Sequence, residues 1–138
     1  MLALFMIVSL AAIGVYLLTV STGQLEAGIQ DEQGARAYQA ARTGIDWGAY
    51  QMLRNSGSAF ATDCANGGIA NSQTLTLSQG LTGFYAEVSC LRVGNETEGA
   101  ATVSAYLLTS TGCNASPCGT LGPTYVERQL QLTLTTTN

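Results

Sequence analysis

The sequence contains no histidine and no lysine, and its five cationic side chains are all arginines. Because histidine is the most common general acid or base near neutral pH, its absence counts against acid-base catalysis. The sequence also lacks a Gly-x-Ser-x-Gly motif, a phosphate-binding glycine loop and metal-ligating residues at the usual spacings. We therefore expect a protein that is not an enzyme and that requires no cofactor or metal.

Charge is scarce as well, since Asp, Glu, Lys and Arg make up only 10% of the 138 residues and the formal net charge is −4. The arginines do not cluster, so the chain lacks the positive patch that binding to nucleic-acid phosphates requires. Nucleic acid is therefore not expected as a partner. The surface must consist mainly of uncharged polar residues, namely Thr, Ser, Asn, Gln and Gly.

Residues 1–20 (MLALFMIVSLAAIGVYLLTV) lack both charge and proline. A helix of about 20 apolar residues crosses a hydrocarbon core of about 30 Å. A cleaved secretory signal is the alternative, but no basic region precedes the apolar run, and no small-x-small cleavage site with a clear change of composition follows it. The segment is predicted to be a retained membrane-spanning helix.

Proline is absent from the next stretch too, and helix-forming residues dominate from residue 21 to about residue 55. One unbroken helix through residue 55 would be about 80 Å long. This length exceeds that of ordinary globular helices, so something other than the head must bury the first half. We predict a transmembrane or filament-core half at residues 1–24 and a head at residues 25–138.

Small residues recur along the second half of this helix at alternating spacings of three and four. Each helical glycine costs about 1 kcal/mol relative to alanine, which indicates that a strand or another helix approaches the backbone closely there. A helix that breaks near Gly34 or Gly44 is the alternative. The residues predicted to pack the helix on the sheet are Gly34, Ala37, Tyr38, Ala41, Gly44, Ile45, Gly48 and Met52.

Four segments after the helix have the β-branched and aromatic content of strands: residues 74–78, 83–93, 102–110 and 125–135. Residues 55–73 are predicted to be a connecting loop, and residues 94–99 the turn of a hairpin. An antiparallel sheet of three or four strands within residues 74–135 must hide one apolar face. The helix of residues 25–55 is the amphipathic element that covers it, so the predicted fold class is α+β.

All four cysteines lie in the polar C-terminal part, at Cys64, Cys90, Cys113 and Cys118. An even number in a small head behind a membrane-type segment predicts two disulfides formed in an oxidising compartment. A zinc site is the alternative, but only Cys113 and Cys118 are close in sequence, with four residues between them. Of the three possible pairings, the most economical joins Cys113 to Cys118 and Cys64 to Cys90.

Four ordered motifs carry a resemblance to a known family. They are QGARAYQAARTGIDWGAY at residues 33–50, GFYAEVSC at residues 83–90, the pair Cys113 and Cys118, and YVERQL at residues 125–130. Together with the apolar N-terminal helix, these motifs resemble the type IV pilins, most closely the minor pilin-like components of MSHA (mannose-sensitive haemagglutinin) pili. The similarity covers nearly the whole chain, and the related pseudopilins of type II secretion share the same plan.

The resemblance implies a structural subunit of an extracellular type IV pilus-type filament, or fimbrium, on the bacterial cell surface. Its partners would be the inner membrane before assembly, the pilus assembly machinery and other pilin subunits in a homo- or hetero-polymer. The apolar side chains that would mediate assembly are Leu2, Leu4, Phe5, Ile7, Val8, Leu10, Ile13, Leu17 and Leu18.

Major pilins carry a glutamate at the fifth mature position, whereas this chain has no acidic residue before Glu26. The resemblance therefore favours a minor or tip subunit, with a major repeating pilin or a secretion pseudopilin as alternatives. The family also loses a leader ending in glycine to a prepilin peptidase; none precedes the apolar run, so Met1 is expected to lie a few residues inside the mature helix. An adhesive module at residues 112–123 or around Asn95 is a further alternative, although no sugar-binding cluster is present.

Overall fold

The structure is a computed structural model that describes residues 2–67, 72–99, 101–120 and 122–137. It confirms the α+β class, with a long N-terminal helix packed on a four-stranded antiparallel sheet. The elements in chain order are α1 (Leu2–Arg54), α2 (Ala59–Ala65), β1 (Gln73–Thr76), a 3-10 turn (Gln79–Leu81), β2 (Tyr85–Glu98), β3 (Ala101–Cys113) and β4 (Glu127–Thr137).

Helix α1 is continuous from Leu2 to Arg54, as the absence of proline and the helix-forming residues predict. The alternative of a break near Gly34 or Gly44 is therefore wrong. The chain divides into two compact units, Met1–Gln33 and Gly34–Asn138. Among the described residues, no helix has both the length and the apolarity that crossing a membrane requires.

The sheet has the order β1-β2-β3-β4, and every neighbouring pair is antiparallel. The predicted hairpin is present, but the prediction that residues 94–99 form its turn is wrong. Strand β2 continues to Glu98, which pairs with Ala101, and the chain reverses at Gly99 with a φ of 64°. Cross-strand pairing with β3 outweighs the low strand propensity of this polar segment, and a register shift between Arg92 and Gly94 accommodates it.

Helix α2 lies within residues 55–73, so the prediction that this whole segment is a connecting loop is wrong. The Ser58 side chain caps the helix by accepting a hydrogen bond from the Ala61 backbone N–H at 3.2 Å. At the other end, the Arg92 guanidinium donates to the Ala65 carbonyl at 2.5 Å. Phe60 is buried and meets Trp47 edge to face, with 5.1 Å between ring centroids. Tertiary contacts therefore stabilise a helix that is too short to form alone.

The core lies between α1, α2 and the inner face of the sheet. Within residues 86–90 of β2 and residues 106–112 of β3, every second residue points inward and is buried, as the period of a strand requires. The larger cluster consists of Met52, Phe60, Ala61, Cys64, Val88, Cys90, Tyr106 and Leu108. A smaller cluster consists of Ala37, Ala40 and Phe84. This core holds the head-forming part of α1 against the sheet.

Candidate assembly surface and packing sites

In the second half of α1, the helix backbone itself contacts side chains of the sheet at the glycines. A Cβ added to Gly44 would lie 2.9 Å from Val88 Cγ2 and would clash with Ser110 Oγ. One added to Gly48 would lie 3.2 Å from Val88 Cγ1 and 3.4 Å from Leu108 Cδ1. Since real Cβ atoms rarely come this close to a neighbour, the two glycines fix how near the helix sits to β2 and β3. The close approach expected from the small-residue stripe is therefore present.

On the sheet side of this contact, Gly112 of β3 allows the same close approach, and it was not among the predicted packing residues. A Cβ at this position would clash with two backbone atoms of α1, the Ala37 carbonyl oxygen and the Ala41 nitrogen. Ala37, Ala40 and Ala41 are fully buried around it. The signal available in the sequence was a single glycine inside a Thr-rich strand, a pattern that also marks a close backbone approach.

Of the other four residues predicted to pack the helix on the sheet, three are covered and one is exposed. Met52 is buried, and Ile45 is partly buried against the larger core cluster. Gly34 is buried under the guanidinium of Arg128, whose Nη2 would lie 3.1 Å from an added Cβ. Tyr38 is 44% exposed, so its assignment to the packing face is wrong. One helical step of about 100° carries its side chain from the buried direction of Ala37 towards the flank of the helix.

Ser110 is the buried polar residue at the centre of this contact. It is fully buried on β3, and its hydroxyl has no hydrogen-bond partner within the described part of the chain. A buried hydroxyl without a partner costs about 1 to 3 kcal/mol. Serine is small enough at this position to let Gly44 approach β3 closely.

Both predicted disulfides are confirmed. The Cys64–Cys90 bond joins α2 to β2 with 5.6 Å between Cα atoms, and the Cys113–Cys118 bond closes a short loop after β3 with the same Cα separation. Within the ranges that the structure describes, no group of His, Cys, Asp or Glu could hold a metal ion. The first bond anchors α2 to the sheet, and the second shapes the loop between β3 and β4.

The loop of residues 113–126 is held by hydrogen bonds in addition to the Cys113–Cys118 disulfide. The Asn114 side chain donates to the Thr124 carbonyl at 2.7 Å and accepts from the Val126 N–H at 3.0 Å. The Tyr125 hydroxyl accepts from the Gly119 N–H and donates to a Glu127 carboxylate oxygen, both at 2.5 Å. Burial, followed by the hydrogen bond to Glu127, raises the pKa of Tyr125. The loop is therefore held by several hydrogen bonds, of which the one from Tyr125 to Glu127 needs a neutral phenol.

The first half of α1 exposes apolar side chains along its whole described surface. Eleven large ones between residues 4 and 18 are between 55% and 73% exposed. The predicted assembly residues among them are Leu4, Phe5, Ile7, Val8, Leu10, Ile13, Leu17 and Leu18, and the others are Met6, Val15 and Tyr16. The side chain of Leu2, also predicted, lies outside the described part. This apolar helix surface, residues 4–18, is the candidate assembly surface.

Comparison with known proteins does not identify a relative. No family model matches the chain, and neither a curated protein nor a solved structure is significantly similar to it. The resemblance to pilins remains a prediction from the quoted motifs. A functional interpretation must therefore rest on the candidate assembly surface, the packed head and its loop.

Proposed function

We propose that the chain is a structural subunit of an extracellular type IV pilus-type filament, that it is a minor or tip pilin, and that it assembles through the candidate assembly surface of α1. The observation that supports this proposal is the set of eleven large apolar side chains, each at least 55% exposed, between residues 4 and 18. A surface of this kind needs a partner, since contiguous apolar patches of this size mark interaction sites.

The distribution of these side chains favours several neighbours over one. Phe5, Met6, Ile7 and Val8 are consecutive, and at about 100° per residue they point to every side of the helix. A helix that is apolar all round is buried on all sides in its working state. A groove on one partner would cover a single stripe, whereas a bundle of subunit helices covers the entire circumference.

Without a neighbour, the candidate assembly surface is exposed to water. Burying one large apolar side chain is worth about 1.5 to 3 kcal/mol, so leaving the whole candidate assembly surface in water is strongly unfavourable. Transfer between two apolar surroundings conserves that burial. We therefore include in the proposal an inner-membrane stage before assembly, delivery by assembly machinery, and an extracellular filament containing other pilin subunits as the final location.

The minor or tip role rests on the absence of acidic side chains from residues 1–25. No Asp or Glu occurs before Glu26. A carboxylate in apolar surroundings is costly until it is paired, so it would favour docking to a charged partner, and residues 1–25 lack that attraction. Along these residues, packing of apolar side chains must then supply the attraction between subunits. A major repeating pilin and a secretion pseudopilin share the same helix and are distinguished by abundance and by the machine that assembles them.

The test uses filaments sheared from the native cell. Cryo-electron microscopy with mass spectrometry should find this chain in the filament fraction at low copy number or at one end, and not as the repeating density. A chain that supplies the repeating density would be a major pilin, and one absent from filaments would refute the proposal.

A matched pair of variants connects filament entry to the candidate assembly surface. Ile7→Asp places a charge within it, whereas Val93→Asp makes a similar change at a β2 position that is 53% exposed. We expect Ile7→Asp to reduce the amount of this chain in filaments by about tenfold or more and Val93→Asp to leave it unchanged. Equal incorporation of both variants would show that the apolar helix is not the assembly surface.

The loop of residues 113–126 supports a second candidate function, an adhesive module. Exposed loops on a rigid scaffold commonly carry binding residues, and this one is held by the Cys113–Cys118 disulfide and by Asn114. Filaments containing an Asn114→Ala subunit should then lose attachment to surfaces while keeping normal length. Unchanged attachment would remove adhesion from the proposal and leave the structural role intact.

A further inference from the structure

Strand β4 (Glu127–Thr137) forms one edge of the sheet. Its inner edge pairs with β3 over the full strand, from Cys113↔Glu127 to Val103↔Thr137. Nothing in the described part of the chain pairs with its outer edge. An edge strand presents a row of free backbone N–H and C=O groups, and these form a template for another strand.

The outer edge of β4 lacks the features that usually prevent strand addition. Residues 129–137 (QLQLTLTTT) contain no charge, no proline and no glycine. Its pairing with β3 shows no register shift, in contrast to the irregularity between Arg92 and Gly94 on β2. At the opposite edge of the sheet, β1 has only four residues. Charges, proline, bulges and short length protect edges, and β4 has none of these along residues 129–137.

The apolar face of β4 is also incompletely covered. The contacts of Gly44 and Gly48 place α1 over β2 and β3, at Val88 and Leu108. On β4, Leu132 is 37% exposed. Leu130 and Leu134, on the same face, are only partly buried. An additional strand beside β4 would supply the side chains that this row of leucines lacks.

We propose that a second copy of this chain occupies the edge, with the two β4 strands paired antiparallel about a two-fold axis through Leu132. Leu132 is the midpoint of Glu127–Thr137, so this register pairs every residue of the strand. Leu130 then lies opposite the second copy's Leu134, and the two Leu132 residues face each other. No other central residue places three leucine pairs across the interface.

The placement of charges on β4 and the short length of β1 also favour a second copy of β4 as the added strand. In this register Glu127 and Arg128 lie opposite threonines near the strand ends, so no like charges meet. Pairing with the β1 edge of another copy would use only four residues and leave most of β4 unpaired. A two-fold interface between identical strands closes on itself, which produces a dimer with one continuous eight-stranded sheet. This association is independent of the proposed filament role.

The test uses the full chain in detergent and two double variants that differ in one side chain. In the proposed register Gln131 lies opposite the second copy's Thr133. The Gln131→Glu/Thr133→Glu variant therefore sets two carboxylates against each other at two places, whereas Gln131→Glu/Thr133→Lys sets opposite charges there. A Thr76→Glu variant on β1, where the opposite residue is Tyr85, controls for added negative charge at the other edge.

We expect sedimentation to show a concentration-dependent dimer for the wild type, the Glu/Lys variant and the β1 control. The Glu/Glu variant should dissociate at least about tenfold more readily. Hydrogen exchange should show protection of residues 129–137 that increases with concentration only in the dimerising forms. A wild-type monomer, or equal dimers for the Glu/Glu and Glu/Lys variants, would overturn the proposal. So would protection that appears only when a different protein is added, because another chain would then supply the strand.

Failure of this proposal and failure of the filament proposal give different results. Association through the candidate assembly surface is insensitive to the β4 variants and is lost in Ile7→Asp, whereas the β4 dimer shows the opposite response. Measuring both in the same detergent therefore assigns any oligomer to one surface.

Discussion

Single residues control the distance between α1 and the sheet. Gly44 on the helix and Gly112 on β3 both lie where an added methyl group would enter occupied space. The obstacles differ, however. At Gly44 they are side-chain atoms of Ser110, Val88 and Ala86, whereas at Gly112 they include backbone atoms of α1. Side chains adjust more easily than a packed helix backbone, so the two glycines differ in their tolerance of substitution.

We predict that Gly44→Ala destabilises the head by about 1 to 3 kcal/mol, as overpacking of a tight contact does. Gly112→Ala should cost more, because α1 itself must move. Thermal melting of the full chain in detergent measures both. Gly28→Ala is the matched control, since nothing lies within 4 Å of a Cβ there, and it should stabilise α1 by up to about 1 kcal/mol. A Gly44→Ala protein that melts like the control would contradict the close contact.

Ser110→Ala provides the rescue experiment for this prediction. It removes the hydroxyl that meets Gly44 and that has no hydrogen-bond partner among the described residues. The single change should be neutral or stabilising, because it eliminates an unsatisfied buried group. The Gly44→Ala/Ser110→Ala double variant should recover part of the loss, which appears as a non-zero coupling in the double-mutant cycle. Strict additivity would show that the hydroxyl is not the obstacle.

Tyr125 gives the head a specific response to alkaline pH. Its pKa is raised above the usual value near 10, chiefly by burial and then by Glu127. The neutral phenol therefore stabilises the loop fully below the usual value, and that contribution is lost as the pH rises through the raised pKa. We predict that the melting temperature of the wild type falls more steeply across this alkaline range than that of a Tyr125→Phe variant.

Tyr125→Phe is the control for the pH prediction, because it keeps the ring and removes the ionisable hydroxyl. The variant should lack the ionisation with the raised pKa that ultraviolet titration of the wild type shows. Glu127→Gln should lower the pKa of Tyr125, since it removes the negative charge beside the phenol while keeping an acceptor. If the ionisation with the raised pKa persists in Tyr125→Phe, Tyr125 is not its source.

At the scale of elements, periodic patterns were sufficient to predict α1, the antiparallel sheet and its attachment to the helix. They failed where tertiary contacts decide the structure. Helix α2 was missed because its Ser, Gly and Asn surroundings resemble a loop, yet Ser58 and Arg92 cap its two ends. The extension of β2 to Glu98 was missed because polar residues there are strand-like only when paired with β3. Gly112 was missed because its partner is remote in sequence.

The two disulfides also act at the scale of elements. The Cys64–Cys90 bond joins α2 to β2, and the Cys113–Cys118 bond closes one loop. Loop-closure entropy gives about 3.5 kcal/mol for the Cys64–Cys90 bond, which spans 26 residues, and about 2 kcal/mol for Cys113–Cys118, which spans five. We predict that Cys64→Ala/Cys90→Ala lowers the melting temperature more than Cys113→Ala/Cys118→Ala does. Thermal melting without reductant compares them. The reverse order would mean that strain or residual structure outweighs loop length.

At the scale of the whole molecule, the two compact units differ in whether they bury their own apolar side chains. Gly34–Asn138 buries its own core between α1, α2 and the sheet, whereas Met1–Gln33 exposes large apolar side chains. Leucine, isoleucine and phenylalanine in water favour association or aggregation. Composition predicts an apolar first segment at residues 1–24 and a head at residues 25–138, but it cannot identify what covers the apolar segment, because lipid and neighbouring helices offer the same apolar surroundings.

Deletion of residues 1–24 tests the predicted boundary between apolar segment and head. We predict that the full chain requires detergent to remain dispersed, because each large exposed side chain adds about 1.5 to 3 kcal/mol in favour of association. The shortened chain should stay in solution without detergent and retain both disulfides and its cooperative melting, since the described core residues all lie after residue 34. Centrifugation and light scattering after detergent removal measure the difference. If the full chain stays dispersed without detergent, the apolar surface does not drive association. If the shortened chain aggregates, the head depends on residues 1–24 to fold.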